Sequence, residues 1–405
     1  MRFWHHAHWH LWNRSDLVKP VDAWFAKALP NATHYAAHQG FDGARWPKEI
    51  APPNERYGDT LPPSRFELDG NGSGRSMFWN TPCAIGLMLV WQQPHVILTA
   101  ELQHRACNGV TSCEVDVIQR LAPLVDQTAR FMHSYPSLRA ETGLLHLGTP
   151  MACAEEGGEA LGSCGPGCAE DAPNHVYDGV FELSYWRYGL RLANVWRARQ
   201  GLPMNASWAD TARRLARLPT VKDPNASAGG SANALLYNFH AGCTDPYSTL
   251  ASNKTAIPNP WGQYCPVLQS HPQMVGAYGL VPGELTGVDV PTMHRTFDAV
   301  MRRWDWTSAM GWDYPLLAMT AMRLGRPEDA LEALMWRWET SGAQNAYLKQ
   351  GWQLESFGPY FPANGGLLLA VGMAAGGWGE HPAALDGFPQ AWRRDIKAEG
   401  FSSYV

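Results

Sequence analysis

The sequence predicts an all-α fold, an α/α toroid whose long loops gather at one end and build a site, and three observations carry that prediction. Apolar residues recur at three- and four-residue spacing in roughly ten to twelve segments along the chain. Alternating strand patterns are scarce. Short turns alternate with very long connections, at 50–78, 135–177 and 219–271, far beyond the typical connection of about five residues. Helices paired in this way suit a closed ring better than a bundle, and no period of about 34 or 40 residues marks a solenoid.

Leu17, Val21, Trp24, Phe25 and Ala28 make the first stripe, with Ser15 placed to cap and Pro20 in the tolerated first turn. Helices are expected near 95–105 and 273–280. Ile118, Leu121, Val125 and Met132 form another stripe, then Leu183, Trp186 and Leu190, then Trp208, Leu215 and Leu218, then Met293, Phe297, Val300 and Trp304. Leu316 through Leu324 follow. Pro327 opens a helix with Glu328 and Asp329 in its first turn and Leu331, Leu334, Met335 and Trp338 on its apolar face. A last apolar segment runs from Leu367 to Met373.

Composition narrows the class. With 405 residues, 45% hydrophobic and 17% charged, the chain is neither disordered, collagenous nor coiled-coil. Its formal charge of -5 supplies no basic face for a phosphate backbone, so no nucleic-acid partner is expected. No stretch reaches the ~20 apolar residues of a membrane span. The 19 tryptophans need explaining by core, by site or by both.

The 8 cysteines include Cys107 with Cys113 and Cys153 with Cys164 and Cys168, close groupings that suit disulfides. Zinc would need a second pair of ligands that the sequence lacks. Six N-x-[ST] sequons, at Asn13, Asn31, Asn71, Asn205, Asn225 and Asn253, agree with a secretory destination. The opening MRFWHHAHWHLW is no signal peptide, so an upstream segment is expected in the full-length protein. His5, His6, His8 and His10 mix spacings and share no single face, so neither a metal nor another cofactor is expected.

Several loop-to-helix junctions set aromatics beside carboxylates, amides and histidines: Arg45-Trp46-Pro47-Lys48, Trp91-Gln92-Gln93-Pro94-His95, the segment from Gly148 to Glu155 and Glu156, Phe181-Glu182-Leu183-Ser184-Tyr185-Trp186, and Trp312-Asp313. Carbohydrate explains that mixture. A pyranose ring stacks its C–H face on indole and needs amide, carboxylate and basic partners for its hydroxyl edge. Cleaving a glycosidic bond needs one acid for the leaving oxygen and a second carboxylate for water or for the anomeric carbon. Tryptophans inside stripes (Trp24, Trp208, Trp336) belong to the core on this reading, and those beside Pro, Asp or Gln (Trp46, Trp91, Trp312) to the site.

In order along the chain, Gly43-Ala44-Arg45-Trp46-Pro47-Lys48, Trp91 to His95, Phe181 to Arg187, Gly311-Trp312-Asp313-Tyr314-Pro315 and the turn Asn364-Gly365-Gly366-Leu367 resemble six-hairpin glycosidases related to glycoside hydrolase family 65. The resemblance spans residues 2–378. It implies an (α/α)6 toroid over a single catalytic-type domain, 1–405, without the N-terminal β-sandwich such enzymes often carry. It implies a glycoside hydrolase acting by inversion, with Glu156 or adjacent Glu155 as general acid, Asp313 as the second carboxylate and Glu182 in the site. Arg45, Trp46, Lys48, Trp91, Gln92, Gln93, His95, Tyr185, Trp186, Trp312 and Asn364 would bind substrate.

Blander roles stand beside these. Glu182 can pair with Arg187, Asp313 can cap its helix, His95 can be a satisfied core histidine, and Glu155 with Glu156 can be a solvated pair. Rival functions on the same toroid are a disaccharide phosphorylase, a polysaccharide lyase and a non-catalytic glycan-binding protein. Two of Glu156, Glu182, Asp313 and Glu355 facing each other across a pocket would favour hydrolysis.

Overall fold

The computed structural model describes residues 2–47, 67–68, 74–75, 89–148, 151, 153–154, 176–224, 226, 234–243, 247, 271–304, 306, 309–335, 352–354, 358–359, 361–380 and 382–405. Among these residues the helices are α1 (Arg2–Leu11), α2 (Lys19–His38), α3 (His95–Arg105), α4 (Thr111–Ser134), α5 (Val180–Arg199), α6 (Ala206–Arg214), α7 (Gly276–Gly279), α8 (Val290–Arg303), α9 (Asp313–Arg323), α10 (Pro327–Leu334), α11 (Phe361–Gly376) and α12 (Gln390–Arg393). Four antiparallel two-stranded ribbons pair Glu67–Leu68 with Gly74–Arg75, Ser137–Arg139 with Leu144–His146, Thr220–Lys222 with Leu235–Tyr237, and Trp352–Leu354 with Gly358–Pro359.

The odd-numbered helices close a ring. α1 packs on α3, α3 on α5, α5 on α7, α7 on α9, α9 on α11, and α11 returns to α1. Burial follows from that position. Every residue of α3 from His95 to Gln103 and of α9 from Asp313 to Met322 is buried, as expected of helices covered on all sides. The outer helices bury one stripe only: Trp208, Thr211 and Ala212 in α6, Ala330 and Ala333 in α10. One continuous core cluster runs from Phe3 to Val405.

Between described helices, the stretches from an odd helix to the next even one have at most thirteen residues, at 377–389. Four of those running back, 39–94, 135–179, 215–275 and 335–360, are long and carry the four described ribbons, while 304–312 is short. The long connections therefore lie where the inner helices begin, as the alternation in the sequence predicts.

The opposite end is closed by the last residues of the chain. Ser402 N–H donates to the Leu11 carbonyl (2.9 Å), Tyr404 N–H to the Gly377 carbonyl (2.9 Å) and Tyr404 Oη–H to the Leu280 carbonyl (2.8 Å). Arg105 donates to the Tyr404 carbonyl (3.2 Å), and Arg323 to that of Val405. The ends of α1, α3, α7, α9 and α11 thus meet one segment. Above it, buried Glu101 accepts from Arg105 Nε (3.1 Å), Arg199 Nη2 (3.0 Å) and Trp196 Nε1 (3.0 Å), tying α3 to α5.

Local expectations fail where distant packing intervenes. Ser15 does not cap α2; its hydroxyl bonds His10 Nδ1 (2.9 Å), and a 3-10 turn, Ser15–Val18, precedes the helix. Leu215 and Leu218 lie beyond the end of α6, and Met335 is exposed just past α10. Asn364-Gly365-Gly366 is not a turn but part of the first turns of α11. There Gly365 is needed because a Cβ would stand 1.9 Å from the Trp4 carbonyl oxygen of α1. Cys107 and Cys113 are joined by a disulfide across the α3–α4 turn, and Cys243 is also disulfide-bonded. Asn205 accepts from Ser207 and Trp208 N–H as the cap of α6. Trp338, Cys164, Cys168 and three of the sequons lie outside the described residues.

Candidate active site

The inner helices start at one end of the ring, and their first residues meet through aromatic rings. Trp312, just before α9, stacks on Trp4 of α1 (centroids 5.6 Å, 27°) and on Trp91 before α3 (6.4 Å, 20°). Trp91 meets His95 edge-on at 5.0 Å and Phe181 of α5 at 6.2 Å. His95 stacks on Phe3 (4.7 Å, 15°), and its Nδ1 pairs with Tyr185 Oη at 2.7 Å. His271, ahead of α7, lies on Trp312 at 4.2 Å. All these side chains are buried. The indole N–H groups of Trp4 and Trp91 have no hydrogen-bond partner among the described residues. Such a group costs about 1–3 kcal/mol unless something satisfies it.

Two carboxyl groups belong to this end. Glu182, in the first turn of α5, is 0% exposed. Its Oε1 accepts the Ala154 amide at 2.7 Å, while Oε2 has no partner among the described residues. Burial pushes its carboxyl up to about 7, against weaker opposition from the backbone amides of Glu182 and Ala154. It does not pair with Arg187, whose guanidinium goes to the carbonyls of Leu215 (3.0 Å), Ala216 and Thr286 (3.4 Å).

Asp313 is the first residue of α9 and is also 0% exposed. Both its oxygens stand 3.0 Å from His271 Nδ1, and Oδ2 accepts the Met310 amide at 2.7 Å. A carboxylate there is favoured by the positive end of the helix dipole.

The approach to α5 is fixed by a third acid. Asp178, at a left-handed φ of 53°, accepts Leu147 N–H (2.8 Å) and pairs with His146 Nδ1 (2.5 Å). His146 Nε2 in turn meets Thr142 Oγ1 at 2.7 Å.

The candidates read from sequence therefore divide. Trp91, His95, Tyr185 and Trp312 share the ring cluster, with Glu182 and Asp313 beside it. Gln93 turns its amide to the backbone of Trp46, accepting N–H (2.9 Å) and donating to C=O (2.6 Å). Gln92 Nε2 donates to the Trp46 and Leu89 carbonyls, both at 3.0 Å. Trp46 turns its ring to Phe25 (4.8 Å) and its Nε1 to Thr128 (2.9 Å), between α2 and α4. Trp186 faces α4 and donates to the Met132 carbonyl (2.8 Å). Arg45 lies over Tyr35, Phe131 and Tyr135 and bonds Gln39. Asn364 is half-buried at the start of α11. Lys48, Glu155, Glu156 and Glu355 lie outside the described residues.

Phe3, Trp4 and His271 were missed, while Tyr177-Asp178 stands in sequence as a junction ahead of Phe181-Glu182 without an assigned role. For His271 a signal existed: His271-Pro272-Gln273 opens an inner-helix segment with the same residue types, in another order, as Gln93-Pro94-His95.

No protein-family model and no curated protein matches the chain. Among solved structures it is similar to one described as "Putative kojibiose phosphorylase from human microbiome", with a TM-score of 0.51 and 9% sequence identity over 91% of this chain. The chain spans about half, 49%, of that protein. With the closed ring of inner helices, this likeness identifies the fold as an all-α toroid.

Proposed function

We propose that this protein is a glycoside hydrolase that cleaves a glycosidic bond in an oligosaccharide or glycoconjugate with inversion. The observation that carries the reading is the indole stack Trp4–Trp312–Trp91, with two N–H donors that have no partner among the described residues, beside the buried carboxyl groups of Glu182 and Asp313. Flat indoles receive the C–H face of a sugar, and buried donors receive its oxygens. The acid is Glu156, or adjacent Glu155. These follow Ala154, whose amide is held by Glu182. The second carboxylate is at Asp313.

An acid that protonates the leaving oxygen and a base that activates water on the opposite face give inversion when separated by roughly 6.5–9.5 Å. The test is a panel of oligosaccharides and aryl glycosides with the product anomer read by NMR. Release of reducing sugar of inverted configuration, lost in Glu156→Gln and Asp313→Asn, supports the reading. An unsaturated, ultraviolet-absorbing product would make the protein a lyase. Binding without turnover by the wild type would make it a lectin-like relative.

Phosphorolysis is the second reading, favoured by the name of the structural neighbour. It requires that turnover stop when inorganic phosphate is removed and that sugar phosphate appear. A secretory destination belongs to the same proposal, supported by the Cys107–Cys113 disulfide and the sequons. Glycan release with a change in mass after expression in a eukaryotic host tests it.

A further inference from the structure

We infer that Thr142, His146 and Asp178 form a catalytic centre of their own, a hydroxyl–imidazole–carboxylate relay that cleaves acetyl esters through an acyl-threonine. Thr142 Oγ1 stands 2.7 Å from His146 Nε2, and His146 Nδ1 pairs with Asp178 Oδ2 at 2.5 Å. A nucleophile within hydrogen-bond reach of a base that a third group orients is the arrangement nucleophilic catalysis needs. An ionised carboxylate only accepts, so Nδ1 carries the proton, Nε2 is the acceptor, and the Thr142 hydroxyl donates to it. The other contacts of the hydroxyl agree with that direction. Its oxygen accepts the Leu144 N–H at 3.2 Å, and the Arg139 carbonyl, at 3.4 Å, competes only weakly for its proton.

The nucleophile is accessible while its base is held below the surface. Thr142 is exposed in the turn of the hairpin that pairs Ser137–Arg139 with Leu144–His146, whereas His146 and Asp178 are buried. Three segments fix the frame beneath. Asp178 N–H donates to the Leu147 carbonyl (2.9 Å), Asp178 Oδ1 accepts the Leu147 N–H (2.8 Å), and Ala216 N–H donates to the Leu145 carbonyl (2.8 Å). Asp178 also holds a left-handed φ of 53°, a conformation that persists where the surroundings impose it and that gathers at functional sites. Arg139, on the same hairpin, lies over the Tyr177 ring at 4.2 Å, so a positive charge stands on the element where the oxyanion forms. Glu141 and Gly143 are exposed beside Thr142, which suits an acetyl group better than a long acyl chain, whose burial would need an apolar wall.

The chemistry balances as two acyl transfers. Thr142 Oγ1 bonds to the acyl carbon as its proton passes to His146 Nε2. The bond from that carbon to the ester oxygen breaks, and the leaving oxygen takes the proton from the imidazolium. Water then bonds to the acyl carbon, giving a proton to Nε2, and the bond to Oγ1 breaks as Oγ1 recovers that proton. One ester and one water become one alcohol and one carboxylic acid, and nothing is oxidised or reduced.

The test uses the full chain with p-nitrophenyl acetate and an O-acetylated monosaccharide, with melting curves on every variant. Mass spectrometry of the quenched protein is expected to find one acetyl group on Thr142. Thr142→Ala and Asp178→Asn are expected to lower kcat by about 10²–10⁴-fold, while Thr142→Ser retains turnover. Asparagine also tolerates the left-handed backbone, so Asp178→Asn keeps the fold, yet an amide nitrogen facing Nδ1 inverts the tautomer and removes the basic Nε2. A threonine that only closes the turn would neither take up acetyl nor distinguish serine from alanine. If the wild type cleaves neither ester above the buffer rate, or if Thr142→Ala keeps the wild-type rate, the three residues only brace the hairpin and the relay is wrong. No glycoside enters the assay, so its outcome is separate from that of the glycoside-cleaving reading.

Discussion

Glu182 and Gly179 compete for the same space: a Cβ at position 179 would stand 1.9 Å from Glu182 Oε2, at the other end of the first turn of α5. The backbone at 179 is not left-handed, with φ -58°, so glycine is required there by the carboxylate and not by the chain. The close atom is the far end of a side chain, which can move. Gly179→Ala is therefore expected to displace the carboxylate without unfolding the protein. Stability should fall by only about 1–2 kcal/mol, while turnover of any productive glycoside falls at least tenfold. Urea titration and initial rates check the two halves; a variant with unchanged rate would remove Glu182 from the site.

The same carboxyl makes stability depend on pH. Burial raises it from 4.5 to about 7, so the folded state holds a proton that the unfolded chain releases. Its neutral form is accommodated without penalty below the unfolded value. Stability is lost as pH rises from about 4.5 through about 7, by a total on the order of 3 kcal/mol. Glu182→Gln should abolish this loss. Melting temperatures at pH 5 and pH 8 should converge in the variant relative to wild type.

His8 titrates in the opposite sense. It is buried on α1, and neither ring nitrogen has a hydrogen-bond partner among the described residues. Burial first, then the neighbouring His6 and His5, lower it from 6.5 to about 4. The folded protein holds it neutral, so stability present above pH 6.5 is lost as pH falls through about 4. His8→Leu should unfold at a lower pH than wild type in an acid titration followed by circular dichroism. Equal acid midpoints would show that another group sets the limit.

Tyr404 is expected to matter more than its place at the end of the sequence suggests. Its ring is 0% exposed, and its hydroxyl and backbone bind α7, α11 and Arg105. Tyr404→Ala removes a large buried ring and leaves the Leu280 carbonyl without its donor, a loss of about 3–5 kcal/mol. Urea unfolding measures it directly. A cost below about 1 kcal/mol would mean that the end of the ring is held closed by other contacts.

Helices, their pairing and the side on which the long loops lie were legible because each is a local property. The stripe of Ile118, Leu121 and Val125 or the Pro327-Glu328-Asp329 start specifies a helix whatever surrounds it. Trp91, His95, Tyr185 and Trp312 come together because residues near the start of inner helices end up at one mouth of the ring. Tertiary structure decided what those residues do. Gln92 and Gln93 look like sugar ligands in sequence, yet their amides bind the backbone of Trp46, forty-six and forty-seven residues away. Gly365 and Gly366 read as a turn because glycine lacks helix propensity, but the approach of the Trp4 carbonyl outweighs the ~1 kcal/mol that each glycine costs a helix. His271 is marked in sequence only by its place before Pro272 and Gln273, and only the closing of the ring brings its Nδ1 to Asp313, forty-two residues later. Periodicity acts over one or two turns of chain. Hydrogen bonds and ring contacts depend on where distant segments come to rest, so the sequence determined the toroid and its mouth, and the tertiary structure decided which side chains face into it.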